Sequence, residues 1–334
     1  MVSSSGAEIR KVTIHDVARS AGVSRQTVSR ALNDKDEIDA ATKQRVLDAA
    51  RELGYRPSRF ARGLVRQDTT TIGLVIPDLL NPFFTEVAAA ALEAARARGW
   101  HVVVYDTADR AEEEFGTLQV IASQVDAVVG YFSCSEHDLE RFTRGLPVVL
   151  IGREHHTAGF SSIRIDGEEG VRAAVAHLVA AGHERIGMLD HDGRSEPSIR
   201  REWFAAAAAA HGIDAGLVVG AAQSADGGGA ALGALLTDHP EVTAVFTFND
   251  IIAIGALREA RRLGRSVPAD LAVIGFDGLQ LGTLVEPPLS SVALDTRKLG
   301  ALAIDQVARL LTGMDPLGAE DLVVRAELRL SGSA

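Results

Sequence analysis

Apolar and polar positions follow two different periods along this chain. In the first sixty residues the period is helical. Ile14, Val17, Ala18 and Ala21 fall on one face of a helix that Thr13 can cap, with Asp16 where a capping-box acid belongs. Gly22 breaks the run, Val23 follows, and Ser24 can cap a second helix over 25–32. There Val28, Ala31 and Leu32 point one way, while Arg25, Gln26, Ser29 and Arg30 face outward. A third helix fits 40–53, capped by Asp39, striped by Val46, Ala49, Ala50 and Leu53, and stopped by Gly54. From Thr71 onward short apolar runs alternate with helical stretches. The runs at 71–76, 101–107, 127–132, 147–152 and 163–166 predict one set of strands. Those at 185–190, 217–220, 244–249 and 271–277 predict a second set. Helices are predicted between them, at 82–98, 168–181, 250–263 and 296–312 among others. Such alternation means an α/β protein with parallel sheets covered by helices on both faces. The series restarts near Asp166, so the strands divide into two similar Rossmann-like lobes.

Composition adds the class. The 334 residues are 46% hydrophobic and 24% charged, enough to bury a sizeable core and to exclude disorder. The single cysteine, Cys134, excludes an intrachain disulfide and cysteine-based metal clusters; it reads as a small buried hydrophobe. No cofactor or metal is expected. The longest apolar run is too short to cross a bilayer, and the first residues carry no apolar leader, so a cytoplasmic, non-membrane protein is expected. The net charge of −11 hides a division: residues 1–67 carry 13 Lys and Arg against 8 Asp and Glu, and the remainder is strongly acidic. A basic head on an acidic body suggests that one end meets an anionic polymer.

Two short helices joined by a tight glycine turn form a helix-turn-helix pattern. The outward face of the second holds residue types that read base edges in a major groove, Arg for guanine and Gln for adenine. The run from Val12 to Asn33, VTIHDVARSAGVSRQTVSRALN, resembles the DNA-binding head of the lactose/galactose repressor family of bacterial transcription regulators. The resemblance continues through Leu53-Gly54-Tyr55-Arg56-Pro57 and, more loosely, to about Arg329. It implies that Arg25, Gln26 and Arg30 read bases, that Thr13, Ser24, Thr27 and Ser29 bond phosphates, and that Tyr55 contacts the backbone. It also implies that 58–66 is a hinge helix entering the minor groove, with Leu64 as the wedge and Ala61 as the small residue one turn before.

The organisation expected is therefore a head at 1–57, a hinge and linker at 58–69, and a periplasmic-binding-protein-like core at 70–334. Its first lobe spans about 70–164 plus 296–325, and its second about 165–294 plus the C-terminal end. Ligands in such sheets sit beyond the carboxyl ends of the strands. That rule selects Asp78, Asn81, Phe83, Phe84, Arg153, Arg200, Phe248, Asn249 and Asp277 as effector-binding residues. Asp250 reads as the N-cap of the following helix. Three departures from the family stand out: Gly152 where many sugar-binding members carry aspartate, Leu294 where glutamine is frequent, and Trp203 in place of glycine. They suggest an effector less hydroxylated, or smaller, than a free hexose.

The resemblance implies a homodimeric regulator, a repressor whose operator affinity is controlled by a sugar or sugar derivative. A purine-like co-repressor is the alternative within this class, and a solute-binding protein the alternative outside it. No heptad helix follows the last strand, so a dimer is expected rather than a tetramer. Gly227-Gly228-Gly229 lacks the Lys-Ser/Thr of a phosphate loop, and no acid–base constellation for an enzyme is found. Glu112-Glu113-Glu114 reads as the acidic first turn of a helix, and 205–210 as a strong helix former.

Overall fold

The computed structural model describes residues 13–32, 38–53, 70–143, 145–153, 159–192, 197–313 and 322–334. The expected head helices are present as α1 (Ile14–Ala21), α2 (Arg25–Leu32) and α3 (Ala40–Glu52). Asp39 caps α3 by accepting from the N–H groups of Ala41 and Thr42. Val17, Ala18, Val28, Ala31, Val46, Ala49 and Ala50 form a separate small core in which the helices pack. Small residues at 18, 31, 49 and 50 let three short helices approach closely.

The remainder forms two six-stranded sheets. The first contains β1 (Thr71–Ile76), β2 (His101–Asp106), β3 (Ala127–Gly130), β4 (Val148–Ile151) and β5 (Ser161–Asp166). It is joined by β11 (Leu322–Arg325), and its order is β11-β5-β4-β3-β1-β2. Its helices are α4 (Pro82–Ala97), α5 (Ala111–Gln124), α6 (Glu136–Thr143) and the late α11 (Thr296–Thr312), which packs on α4. The second sheet contains β6 (Ile186–His191), β7 (Val218–Ala221), β8 (Ala244–Thr247), β9 (Ala272–Asp277), β10 (Ser290–Ala293) and β12 (Glu327–Arg329). Its order is β12-β10-β9-β8-β6-β7. It carries α7 (Glu168–Ala180), α8 (Ile199–Ala210), α9 (Ala225–Asp238) and α10 (Asp250–Arg262). The central strands are buried along their whole length, as continuous apolar runs between two helical layers must be.

The chain crosses between sheets after β5, after β10 and at Ala326. The last crossing has no helix in it. The carboxyl ends of both sheets face each other, so a chain passing straight from β11 into the second sheet must run backwards there. Accordingly β12 pairs antiparallel with β10, through Val292 opposite Leu328. The strand Ser290–Ala293 was absent from the sequence expectation. It is only four residues long and follows the Pro287-Pro288 pair, which masks it.

The glycine run at 227–229 has a packing explanation. A Cβ at Gly228 would lie 2.2 Å from the Ile252 carbonyl oxygen, and one at Gly255 would lie 2.0 Å from that of Ala225. Helices α9 and α10 therefore cross backbone to backbone, and only glycine permits that distance. The alanine tract lies within α8, as its propensity predicts. Glu114 departs from the expectation of a solvated first turn: it turns inward and accepts from the N–H groups of Ser133 and Cys134 at 2.6 and 2.9 Å. Burial pushes its carboxyl above the ordinary carboxylate range. Cys134 is buried.

Candidate functional site

Two regions carry the candidate chemistry. On α2, Arg25, Gln26 and Arg30 are exposed, and Thr27 and Ser29 are half-buried. At 100° per residue, positions 25, 26, 29 and 30 share an arc of about 140°, opposite buried Val28 and Ala31. The flanking hydroxyls are already organised. Ser24 Oγ accepts from the Thr27 N–H at 3.1 Å and bonds the Thr27 hydroxyl at 2.8 Å. The Thr13 N–H and hydroxyl both donate to the Asp16 carboxylate, at 2.9 and 2.7 Å. These contacts hold the helix starts in place and leave the arginine–glutamine face presented outward. Tyr55, Ala61 and Leu64, with the hinge segment, lie outside the described residues.

The second region is a cleft of about 600 Å³ between the two lobes, at the carboxyl ends of their strands. Asp78, Asn81, Phe83, Phe84, Arg153, Arg200, Phe248, Asn249 and Asp277 all line it. On the second-lobe side, α8 is capped by Ser198, whose hydroxyl donates to buried Asp190 at 2.7 Å. The cap sets Arg200 in the first turn, between the ring faces of Phe248 and Phe276, 4.4 and 3.8 Å from their centroids. Arg200 donates from Nη2 to Asp277 at 3.2 Å and from Nη1 to the Phe248 carbonyl. Asp277 has φ +114°, a region that costs a non-glycine residue about 1–3 kcal/mol. Burial raises the Asp277 carboxyl and lowers the Arg200 guanidinium, each against the pull of the other. The pair is a largely buried ion pair, with ring faces on both sides of the guanidinium.

One expectation is corrected here. Asn249, not Asp250, caps α10: its Oδ1 accepts from the Ile252 N–H at 2.9 Å and its Nδ2 reaches Gln223 at 3.3 Å. Asp250 instead points into the lobe, accepting from the Leu279 N–H at 2.7 Å and the Ser291 hydroxyl at 2.6 Å. Burial, with Asp277 nearby, pushes its carboxyl up to about 8. Asn and Asp are both capping types, and here the first of the two adjacent residues takes the cap.

On the first-lobe side, Asn81 caps α4 through its bond from the Phe83 N–H at 3.1 Å. Phe83, Phe84 and Tyr131 meet edge to face, with centroids 5.0–6.3 Å apart. Gly152 and Trp203, two of the three family departures, line the cleft. Leu294 does not; it is buried in the core, so its apolar side chain removes nothing from the ligand's surroundings. Tyr131 and Gln223 line the cleft and were not singled out from sequence; His191 and Ser198, within the stretch 190–200 that follows the first strand of the second lobe, line it too. Tyr131 lay inside the expected run 127–132, whereas the observed β3 ends at Gly130 and leaves it just beyond the strand. Glu86 on α4 ties the lobes, accepting from the Gln280 N–H at 3.3 Å and the Thr296 hydroxyl at 3.1 Å. Among the described residues no group of His, Cys, Asp and Glu has the arrangement to hold a metal ion, and no helix is long and apolar enough to cross a membrane.

Residues 13–58 match the family described as bacterial regulatory proteins, lacI family, and 175–331 match the periplasmic binding protein-like domain. The chain is 33% identical over 308 residues to catabolite control protein A of Priestia megaterium, covering 90% of this chain and 92% of that one. This chain belongs to the lacI family. The fold agrees. A LacI family transcriptional regulator from Arthrobacter sp. FB24, solved in complex with lactose, superposes with TM-score 0.74 at 33% identity, over 79% of this chain and 99% of that one. The Lac repressor dimer bound to operator and the anti-inducer ONPF superposes with TM-score 0.73 at 27% identity, over 97% and 99%. As a LacI-family protein, the chain is a transcription regulator with a helix-turn-helix head and a two-lobed core.

Proposed function

We propose that this protein is a homodimeric repressor whose affinity for operator DNA is set by a small molecule held between the core lobes, and that the molecule is a sugar or sugar derivative. One juxtaposition carries the reading. The same chain bears an exposed arginine–glutamine face on a helix-turn-helix and a ligand-sized cleft walled by aromatic rings and fixed polar groups. Aromatic faces suit the C–H faces of a sugar ring, and oriented carboxylate, amide and guanidinium groups suit its hydroxyls. The relatives support it: one neighbour was solved with lactose and another with operator. A cleft of about 600 Å³ lies in the range of drug-sized ligands, so its volume does not hold the effector below a hexose.

In this mechanism Arg25, Gln26 and Arg30 read base edges, while Thr13, Ser24, Thr27, Ser29 and Tyr55 set register on the phosphates. Two heads read two half-sites because the symmetry of the dimer is mirrored in the DNA. The hinge segments, with Ala61 and Leu64, enter the minor groove between them. Effector changes the relation of the lobes and so the spacing at which the hinges emerge. A ligand that prefers the lobe arrangement incompatible with paired hinges lowers operator affinity by linkage. The test is a mobility-shift titration on the protein's own promoter DNA at rising salt, with and without a panel of sugars. Specific, steeply salt-dependent binding that a sugar weakens supports the proposal. A nucleobase that tightens binding would instead support co-repression, and no sequence preference would overturn both.

A further inference from the structure

Two side-chain atoms among the described residues are buried without a hydrogen-bond partner: the Tyr131 hydroxyl and the Arg153 Nε–H. Buried polar groups are nearly always satisfied, so such exceptions call for a reason. Both residues line the first-lobe wall of the cleft. Another nitrogen of the Arg153 guanidinium is engaged. Its Nη2 donates to the Cys134 carbonyl at 2.6 Å, and the Glu114 carboxylate interacts with its charge.

Tyr131 is fixed. Phe83 and Phe84 hold its ring edge to face. Gly152 makes the space: it has φ +74°, and a Cβ there would lie 3.2 Å from the tyrosine ring. Arg200 and Asp277, from the opposite lobe, both act on the phenol. Burial raises it above its usual range, so it remains a neutral hydroxyl able both to donate and to accept.

We propose that Tyr131 and Arg153 are the first lobe's recognition pair for the effector, and that they select an uncharged, hydroxyl-bearing ligand over its phosphorylated counterpart. This rests on the effector reading above. Hydroxyl or ring oxygens of a ligand satisfy the two groups, one accepting from Nε–H and another accepting from the phenol hydroxyl. A phosphate could also accept from Nε–H, but the surroundings oppose it. Five carboxylates line the cleft against three guanidinium groups, and Arg200 is already held by Asp277. Glu114 offsets Arg153 from behind.

The experiment is calorimetry on the full-length protein with galactose, ribose, lactose and cellobiose, each beside its phosphate ester. Wild type, Tyr131→Phe and Arg153→Lys are compared, and melting is followed without sugar. The expected result is that at least one neutral sugar binds and its phosphate ester binds at least tenfold more weakly. Tyr131→Phe weakens that sugar about tenfold, one hydrogen bond's worth. Its melting temperature without sugar is unchanged or higher, because the variant deletes an unpartnered group. Arg153→Lys, which keeps the charge and loses Nε–H, weakens the same sugar. Unchanged affinity in Tyr131→Phe, or tighter binding of the phosphate ester, overturns the pair while leaving a carbohydrate effector standing. If no sugar in either form binds, the pair and the carbohydrate reading fall together.

Discussion

Replacing Arg200 by Met removes a charge from the centre of the cleft while keeping most of the volume. The Arg200 side chain is 14% exposed and that of Asp277 3%, so solvent screens their interaction little. Breaking such a buried pair from one side costs about 3–5 kcal/mol, mostly because the remaining charge is stranded. The stacking on Phe248 and Phe276 adds to the loss, though Met recovers part by packing between the same rings. The cost depends on pH in a definite direction. The Asp277 carboxyl is raised in the folded state, so its contribution to stability is full below its unfolded value near 3.8 and is lost as pH rises through the folded value. Without Arg200 the folded value rises further, and the loss extends to higher pH. Arg200→Met therefore costs more at pH 8.5 than at pH 6. Adding Asp277→Asn removes the stranded charge, so the double variant is more stable than the sum of the single effects by about 1–3 kcal/mol. Urea denaturation of the four proteins at both pH values measures this. Single effects that add within about 0.5 kcal/mol, or a cost independent of pH, would refute the reasoning.

Asp250→Asn should flatten part of the pH dependence of stability. Asp250 is held at about 8, so the wild type loses stability between about pH 4 and 8, by up to about 1.4 kcal/mol per pH unit. Asn can still accept from Leu279 and can donate to Ser291; a variant no more stable than wild type at pH 8.5 in the same assay would contradict the assignment. Arg25→Ala or Arg30→Ala should cost about 1–3 kcal/mol at one operator position and relax selectivity there. The check is anisotropy against single-base operator variants, and parental discrimination by both variants would remove their base-reading role. Leu64→Ser should weaken operator binding while calorimetry shows effector binding unchanged; unaltered operator affinity would remove the wedge.

Long apolar runs were the most legible part of the fold. The runs at 71–76 and 271–277 appear as β1 and β9 within one residue, because a strand buried on both faces has no other composition open to it. Short strands were harder: Ser290–Ala293 holds only two apolar residues and is recruited by its neighbour β9. The cleft residues were legible through topology, since strand ends could be located and polar residues there enumerated. What topology could not reveal was the choice between adjacent candidates. Asn249 takes the cap of α10 and Asp250 turns into the lobe, a division that their residue types do not reveal. Tyr131 was hidden inside an apolar run, where an aromatic reads as core. Leu294 was assigned weight by its position in the family pattern, yet here it faces the interior. Glu114 shows the same limit from the other side, since three acids in a row look alike until one of them packs against the ends of backbone N–H groups.

The most direct measurement is a reciprocal titration. Operator affinity is measured by anisotropy with and without a saturating sugar from the panel, and the affinity for that sugar by calorimetry with and without saturating operator duplex. If the cleft controls the head, each ligand changes the other's dissociation constant by the same factor, about 5–150-fold for a coupling of about 1–3 kcal/mol. If both bind tightly and neither alters the other, the cleft does not control the head.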